Sequence, residues 1–320
     1  MRRVWASEAV DLQHAVRSSL AGIGGVELAR SAEEKAGLRA ERVRPALESL
    51  GVLDLDPLGD EVESSAAVLA AHACGEVVAP YPVTRVLAVP ADLRADLDAL
   101  YLAGPDAEVL EHADLFEHAA VADLRDGRLC RIVDASARRH APLDPFGATV
   151  ELDDRVTDAV VPATALHMSH VLDAFWVAGA LQTAATDAAR YATQRHQFGK
   201  PIGTFGEIRW RLADMAVAVD GLDEMATFTW FMVVRGRATA ADALALRLAM
   251  LEAADTVLSN AHQVFGAIGL CEEHDLTVVD RHLTPMLVRP CGRGRTAALL
   301  VEAIDRFGFS GTFDVAATAR

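Results

Sequence analysis

Apolar positions recur at helical spacing over the first 82 residues. Ala66, Leu69, Ala70, Ala73 and Val77 fall on one face, which predicts a helix over 61–78 that stops before Pro80 and Pro82. Ser31 with Glu34 has the form of a capping box, Pro45 suits the first turn of the next helix, and Gly51 suits its end. From 83 to 163 the rhythm shortens to brief apolar runs divided by polar and Pro/Gly clusters. The clearest pair, 119–125 and 128–133, is joined by Asp126-Gly127, a dipeptide that accepts the positive backbone angles of a tight hairpin. Further strands are expected at 148–152 and 159–161. Long helical stretches return after 164, over 164–195, 204–235, 238–265, 273–286 and 295–306. The pattern predicts a mainly α chain with a central β domain: an N-terminal helical unit over 1–82, a reduced β domain over 83–163 and a C-terminal antiparallel helical bundle over 164–320.

Composition narrows the partners. At 320 residues the chain can bury a substantial core, and its formal charge of -16 argues against nucleic acid or an anionic membrane as partner. Any phosphate recognition has to be local. The cysteines Cys74, Cys130, Cys271 and Cys291 are far apart and form no CxxC pair, so neither a disulfide framework nor a zinc site is indicated. No apolar core follows Arg2 and Arg3, and no run reaches eighteen apolar residues despite an apolar content of 52%. A soluble, cytoplasmic protein is expected, with abundant alanine suited to close-packed helices.

Two segments carry candidate chemistry. Gly199, Pro201 and Gly203 break helical periodicity, which resumes at Phe205, Ile208, Leu212 and Met215, so a tight helix-to-helix turn is expected with Arg195 in the last turn of the first helix. Arginine presents a planar fork of donors suited to a pyrophosphate, and Phe198 offers a flat face to an aromatic ring. The plainer alternative is that Arg195 offsets its helix dipole and Phe198 is core. In the second segment, Gln263, Gly266 and Gly269 combine a side-chain donor with backbone that admits close approach by a ligand, the plainer alternative being a helix C-cap and turn.

The run with Tyr191, Arg195, Phe198-Gly199, Pro201-Ile202 and Phe205 resembles the signature of the acyl-CoA dehydrogenase family, and Gln263, Gly266 and Gly269 before Glu273-His274-Asp275 resemble a second motif of that family. The order of helical unit, β domain and bundle is also the family's. The resemblance implies that Arg195, Gln197 and Phe198 hold the pyrophosphate and adenine of FAD, with Gln263, Gly266 and Gly269 completing the wall, for a flavin seated in a neighbouring subunit. Gly206 stands where the family usually has glutamine, and Ala267 replaces a glycine. The family's flavin-ring motifs in the β domain are missing: no tryptophan occurs between Trp5 and Trp176, and the nearest fragment to the other motif is Gly104-Pro105-Asp106-Ala107.

Removal of a weakly acidic α-proton requires a carboxylate against the α-carbon. The two positions at which the family places it fall on Ser169 and on Pro290 or Cys291, so no catalytic base is assigned. Asp173, one helical turn from Ser169, is the substitute to consider. Glu272, Glu273 and Asp275 are expected to pair with Arg281 or cap the following helix. Gly292-Arg293-Gly294-Arg295-Thr296-Ala297 matches a dinucleotide fingerprint formally, yet no strand precedes it. Arg289, Arg293 and Arg295 form a basic cluster that either meets a FAD or CoA phosphate or is solvated surface or an interface pairing. His167 and His170 share a helix face, but two histidines do not make a metal site, and no histidine has glutamate three residues before it.

The chain therefore resembles the shortened subunit of actinobacterial heterotetrameric acyl-CoA dehydrogenases associated with steroid breakdown, in which a full-length partner carries the base. FAD shared at a subunit interface, a catalytic partner subunit and an acyl-CoA substrate in the complex are implied by that resemblance. A homo-oligomeric flavoenzyme using Asp173 and a non-redox scaffold on the same fold are the competing readings.

Overall fold

The structure, a computed structural model, describes residues 5–104, 106–138, 141–153 and 159–308. Arg2, Arg3 and Pro105 lie outside the described residues, as does the end of the expected bundle after Gly308. The chain begins with α1 (Ser7–Gly22), α2 (Val26–Glu34), α3 (Arg44–Glu48), α4 (Glu61–Glu76) and the single turn α5 (Val83–Leu87). The Asp60 carboxylate caps α4 by accepting from the Val62 and Glu63 amides, each at 2.9 Å. Pro45 sits in the first turn of α3, and Gly51 follows that helix in the left-handed region at φ 68°. The expected cap at Ser31 is overturned: Ser31 lies inside α2, whose register is set by burial of Leu28, Ala29 and Ala32.

Five strands follow: β1 (Ala99–Ala103), β2 (Val109–Glu111), β3 (Ala119–Asp123), β4 (Leu129–Ala137) and β5 (Gly147–Leu152). They form one sheet in the order β1-β3-β4-β5-β2, with β1 parallel to β3 and the other pairs antiparallel. Alternation divides their side chains. Leu100, Leu102, Ala120 and Ala122 join the main core, while Ala99, Tyr101, Val121 and Leu110 form a smaller one on the other face. The segment 159–161 is not a strand. It crosses the β3–β4 turn, where Val161 donates to the Gly127 carbonyl at 2.8 Å and Leu129 donates to that of Ala159, and its ladder pairing stops at one bridge from Val160 to Arg128.

The bundle consists of α6 (Ala163–Gln194), α7 (Gly206–Val234), α8 (Ala240–Phe265), α9 (Asp275–Val288) and α10 (Arg293–Phe307), with a two-residue hairpin, β6 (His196–Gln197) and β7 (Lys200–Pro201), between α6 and α7. Among the described residues no helix is long and apolar enough to cross a membrane. Helix α6 packs on α4 as well as on α7 and α8. The α4–α6 crossing is unusually close: a Cβ on Gly75 would stand 1.9 Å from the Trp176 carbonyl oxygen, and one on Gly179 would stand 2.1 Å from that of His72. Only glycine permits this approach, and Thr183 fastens it by donating to the Glu76 carbonyl at 2.8 Å.

His72, beside that crossing, receives a 3.3 Å contact from Gln13 of α1, and burial first, then Arg17, push its pKa from 6.5 down to about 4. The folded state thus favours neutral His72, so its contribution is fully present above pH 6.5 and is lost as pH falls towards 4. Between pH 7 and 5 this one group accounts for roughly 2 kcal/mol of lost stability. Urea unfolding of His72→Leu should show a pH-dependent decline smaller by that amount; declines of equal size would contradict the assignment.

Candidate cofactor interface

The run from Tyr191 to Phe205 is built as an exposed hairpin. Arg195 lies one residue beyond α6 rather than in its last turn, with extended backbone at φ −78° and ψ 121°. Its amide still donates to the Tyr191 carbonyl at 2.8 Å, but its own carbonyl accepts from Ile202 across the hairpin at 2.8 Å, and this exchange of partners ends the helix. Gln197 pairs with Lys200, leaving Phe198 and Gly199 as the two turn residues, at φ 53° and 79°. Left-handed backbone suits Gly199 and strains Phe198, by about 1–2 kcal/mol for an L-residue with a Cβ.

Phe198 is also 92% exposed, so it is not core. Its ring meets Phe205 edge-on at 6.1 Å, and the Lys200 ammonium lies 4.5 Å from the Phe205 ring centre. Arg195, His196 and Gln197 are exposed beside it. The hairpin therefore presents a guanidinium, an amide and an aromatic face outwards together.

The second segment reaches the same end of the bundle. Tyr191, three residues before the end of α6, packs on Phe265 at the end of α8, with ring centres 5.0 Å apart, and Phe265 meets His274 at 4.4 Å. Gln263 is exposed on the last turn of α8, and Gly266 ends that helix at φ 64° and ψ −142°. Gly269 is buried in the following turn, where a Cβ would come within 2.9 Å of Phe265 Cβ. The Tyr191–Phe265 contact thus joins the elements that carry Arg195, Gln197, Phe198, Gln263, Gly266 and Gly269.

The interior is arranged differently. Ser169 is buried and donates to the Ala165 carbonyl at 3.0 Å. Asp173, 2% exposed, receives both of its contacts from one Arg85 nitrogen, at 2.9 and 3.0 Å, and the Arg85 guanidinium reaches Glu111 of β2 at 3.0 Å. Burial works against the charge on Arg85, but the Asp173 and Glu111 carboxylates outweigh it and hold its pKa above the usual arginine value. Arg289 extends the network from the bundle to Glu111 at 3.3 Å and to Asp144. Burial pushes the Asp144 carboxyl up, with Arg289 opposing it.

The loop holding Pro290 and Cys291 is fixed from beneath by Arg247 of α8. That guanidinium donates to the carbonyls of Arg289 at 2.8 Å and Cys291 at 2.7 Å. His170 is buried near Arg247, and burial, then that charge, hold its pKa well below 6.5; burial likewise lowers His167. Both are kept neutral. The expected partners after α8 also change: Asp275 pairs with Arg30 at 2.7 Å, whereas Arg281 pairs with Glu33 at 3.0 Å. Arg293 pairs with Glu252 and opens a helix that follows a loop, so the glycine-rich fingerprint has no βαβ setting. Arg289 and Arg293 are thus taken by carboxylates.

These features test the fit of FAD. The exposed hairpin and the α8 terminus offer donors, a ring face and accessible backbone to a nucleotide end. Where sheet meets bundle, beside Arg85, Glu111 and His112, the cavity measures about 40 Å³. That is room for a few waters, and a second cavity of about 220 Å³ lies between Tyr191, Gln194, Phe265 and His274 at the hairpin end.

Residues 160–306 match the model of the acyl-CoA dehydrogenase C-terminal domain. A variant of the Tcur3481-Tcur3483 steroid ACAD superposes over 93% of this chain and 98% of its own, with TM-score 0.79 and 18% identity. The fold is that of the acyl-CoA dehydrogenases. The ChsE4-ChsE5 complex from Mycobacterium tuberculosis matches over 95% of this chain and 99% of its own, with TM-score 0.77 and 17% identity. Butyryl-CoA dehydrogenase from Megasphaera elsdenii matches over 96% and 100%, with TM-score 0.74 and 16% identity. The chain thus resembles acyl-CoA dehydrogenases in fold throughout and in sequence across its bundle, and the similar structures include the ChsE4-ChsE5 complex.

The buried network Arg85–Glu111–Asp173–Arg289 is the feature that sequence patterning missed. Its signal was present as single charges inside apolar stretches, at Arg85 in Val83–Leu87 and at Asp173 between Leu172 and Ala174. Such residues are buried only when paired.

Proposed function

We propose that this chain is the non-catalytic subunit of a FAD-dependent acyl-CoA dehydrogenase and supplies the adenine and pyrophosphate wall to a flavin seated in a catalytic partner. The observation that carries this reading is Phe198, a bulky apolar residue in left-handed backbone and 92% exposed, displayed beside Arg195. Strain and exposure of this kind are retained where something docks. Arg195 and Gln197 would hold the pyrophosphate, Phe198 the adenine, and Gln263 with the exposed backbone at Gly266 the remaining side, while buried Gly269 lets the turn close on Phe265 beneath them. When bound in the partner, FAD supplies the hydride acceptor; this chain's residues bind and orient its far end.

The chain's own interior supports the division of labour. Asp173 is clamped by Arg85, Ser169 is no base, and the loop of Pro290 and Cys291 carries no carboxylate. A flavoenzyme relying on Asp173 would need that clamp released. We propose a steroid-derived acyl group, a reading supported by a similar structure described as a steroid ACAD.

Absorbance at flavin wavelengths tests the proposal. The isolated chain should be colourless, and co-expression with its partner should give a yellow complex that oxidises an acyl-CoA. Stoichiometric flavin with dehydrogenase activity in the isolated chain would refute it.

A further inference from the structure

The cavity of about 220 Å³ at the hairpin end is not part of the proposed nucleotide wall: Arg195, Gln197, Phe198, Gln263, Gly266 and Gly269 do not line it. Val78, Ala184, Leu276 and Val279 give it apolar surface, and the Tyr191 and Phe265 rings, 5.0 Å apart, add aromatic surface. Val78 is held there at a cost. It is 1% exposed with φ 51°, a left-handed backbone that crowds any Cβ and a β-branched one most. Its amide donates to the Gly75 carbonyl, and that of Ala79 to Cys74, each at 2.9 Å, a helix ending that glycine ordinarily closes. Valine at this point supplies cavity wall that glycine would not.

The polar lining leaves one charge short of donors. Asp187 binds Arg190 at 2.6 Å, and Asp275 binds Arg30 at 2.7 Å. His274 accepts from the Leu276 amide at 3.1 Å, and burial holds its pKa below 6.5, so it is neutral at pH 7. Glu76 differs. Arg17 approaches its Oε1 at 3.5 Å, while Oε2 is buried without a hydrogen-bond partner, and His72 at 4.0 Å is too far to donate to it. Burial pushes the Glu76 carboxyl up, as expected of a carboxylate short of donors. A buried acceptor without a donor is costly, and an ammonium group is the partner that satisfies a charged one. Aromatic faces in the same cavity favour a cation too. An apolar cavity of about 150 Å³ accommodates benzene, so this one takes a single ring with a short alkyl arm.

We propose that this cavity binds a small organic cation, a protonated primary amine on a hydrophobic body the size of one ring, with its ammonium on Glu76 and its body against Tyr191, Phe265 and Val78. The site is independent of the flavin reading, since it takes a cation where the hairpin offers donors to an anion.

Isothermal titration calorimetry of the full chain with 2-phenylethylammonium tests this, against uncharged 2-phenylethanol and anionic 3-phenylpropionate. The amine should bind at least about 10-fold more tightly than the alcohol, the value of one charge-assisted hydrogen bond, and the acid should give no heat. Glu76→Gln, which keeps the shape of the side chain and removes its charge, should weaken the amine by about the same factor and leave the alcohol unchanged. Gln194→Trp, at an exposed rim position, should weaken both. The comparison of amine with alcohol uses the unaltered chain, so it stands even where a variant fails to fold. Equal affinities for amine and alcohol, an amine affinity untouched by Glu76→Gln, or no heat from the amine at millimolar concentration would each overturn the inference.

Discussion

Replacing Arg85 with leucine should cost about 3–5 kcal/mol, because it leaves Asp173 and Glu111 buried without the guanidinium that holds both. Removing one member of a buried charge set is more damaging than removing all, since the survivors keep their desolvation penalty. The triple change Arg85→Met, Glu111→Gln and Asp173→Asn should therefore recover much of the loss. Arg85→Lys should recover less, because an ammonium lacks the fork that spans two carboxylates. Urea unfolding followed by circular dichroism measures each value, and a loss below about 1 kcal/mol for Arg85→Leu would show that the network is dispensable. This result also bears on Asp173 as a base: it is a member of a structural ion set, and Asp173→Asn should lower stability rather than remove turnover specifically.

The second large effect is expected in the complex. Arg195→Ala should remove charge-assisted hydrogen bonds worth about 1.5–3 kcal/mol, which corresponds to roughly 10- to 150-fold weaker FAD retention by the assembled enzyme. Phe198→Ala should add to this by removing the ring proposed to face the adenine, and should relax its own strained turn only slightly, since alanine still has a Cβ. The isolated chain should keep its melting temperature in both variants, because both side chains are exposed. Fluorescence of released flavin on dilution of the complex gives the readout. Unchanged flavin retention with Arg195→Ala would detach this motif from the cofactor.

Much of this was legible in the sequence because it rests on local rules. Apolar periodicity marked α4 and the helices of the bundle, and Asp126-Gly127 marked the β3–β4 hairpin, whose turn has Gly127 at φ 72°. Both FAD-like motifs could be read as contiguous residue patterns. What was not legible depends on pairing at a distance. Ser31 looked like a cap, yet burial of the α2 face placed the helix start six residues earlier, with Gly25 at the cap position. Arg281 looked like a partner for nearby acids, yet it pairs with Glu33, which the fold brings up from the N-terminal unit. Phe198 read either as core or as a ring face for a ligand until its turn conformation exposed it. The clamp on Asp173 needed Arg85 from the turn before the sheet, which no spacing along α6 reveals.

On the proposed function, this chain completes a flavin site that it does not itself contain. Native mass spectrometry of the assembly isolated from its source tests it most directly. Two kinds of chain in equal number are expected, with FAD lost when this chain is removed. An assembly of this chain alone, carrying one FAD per copy, would contradict it.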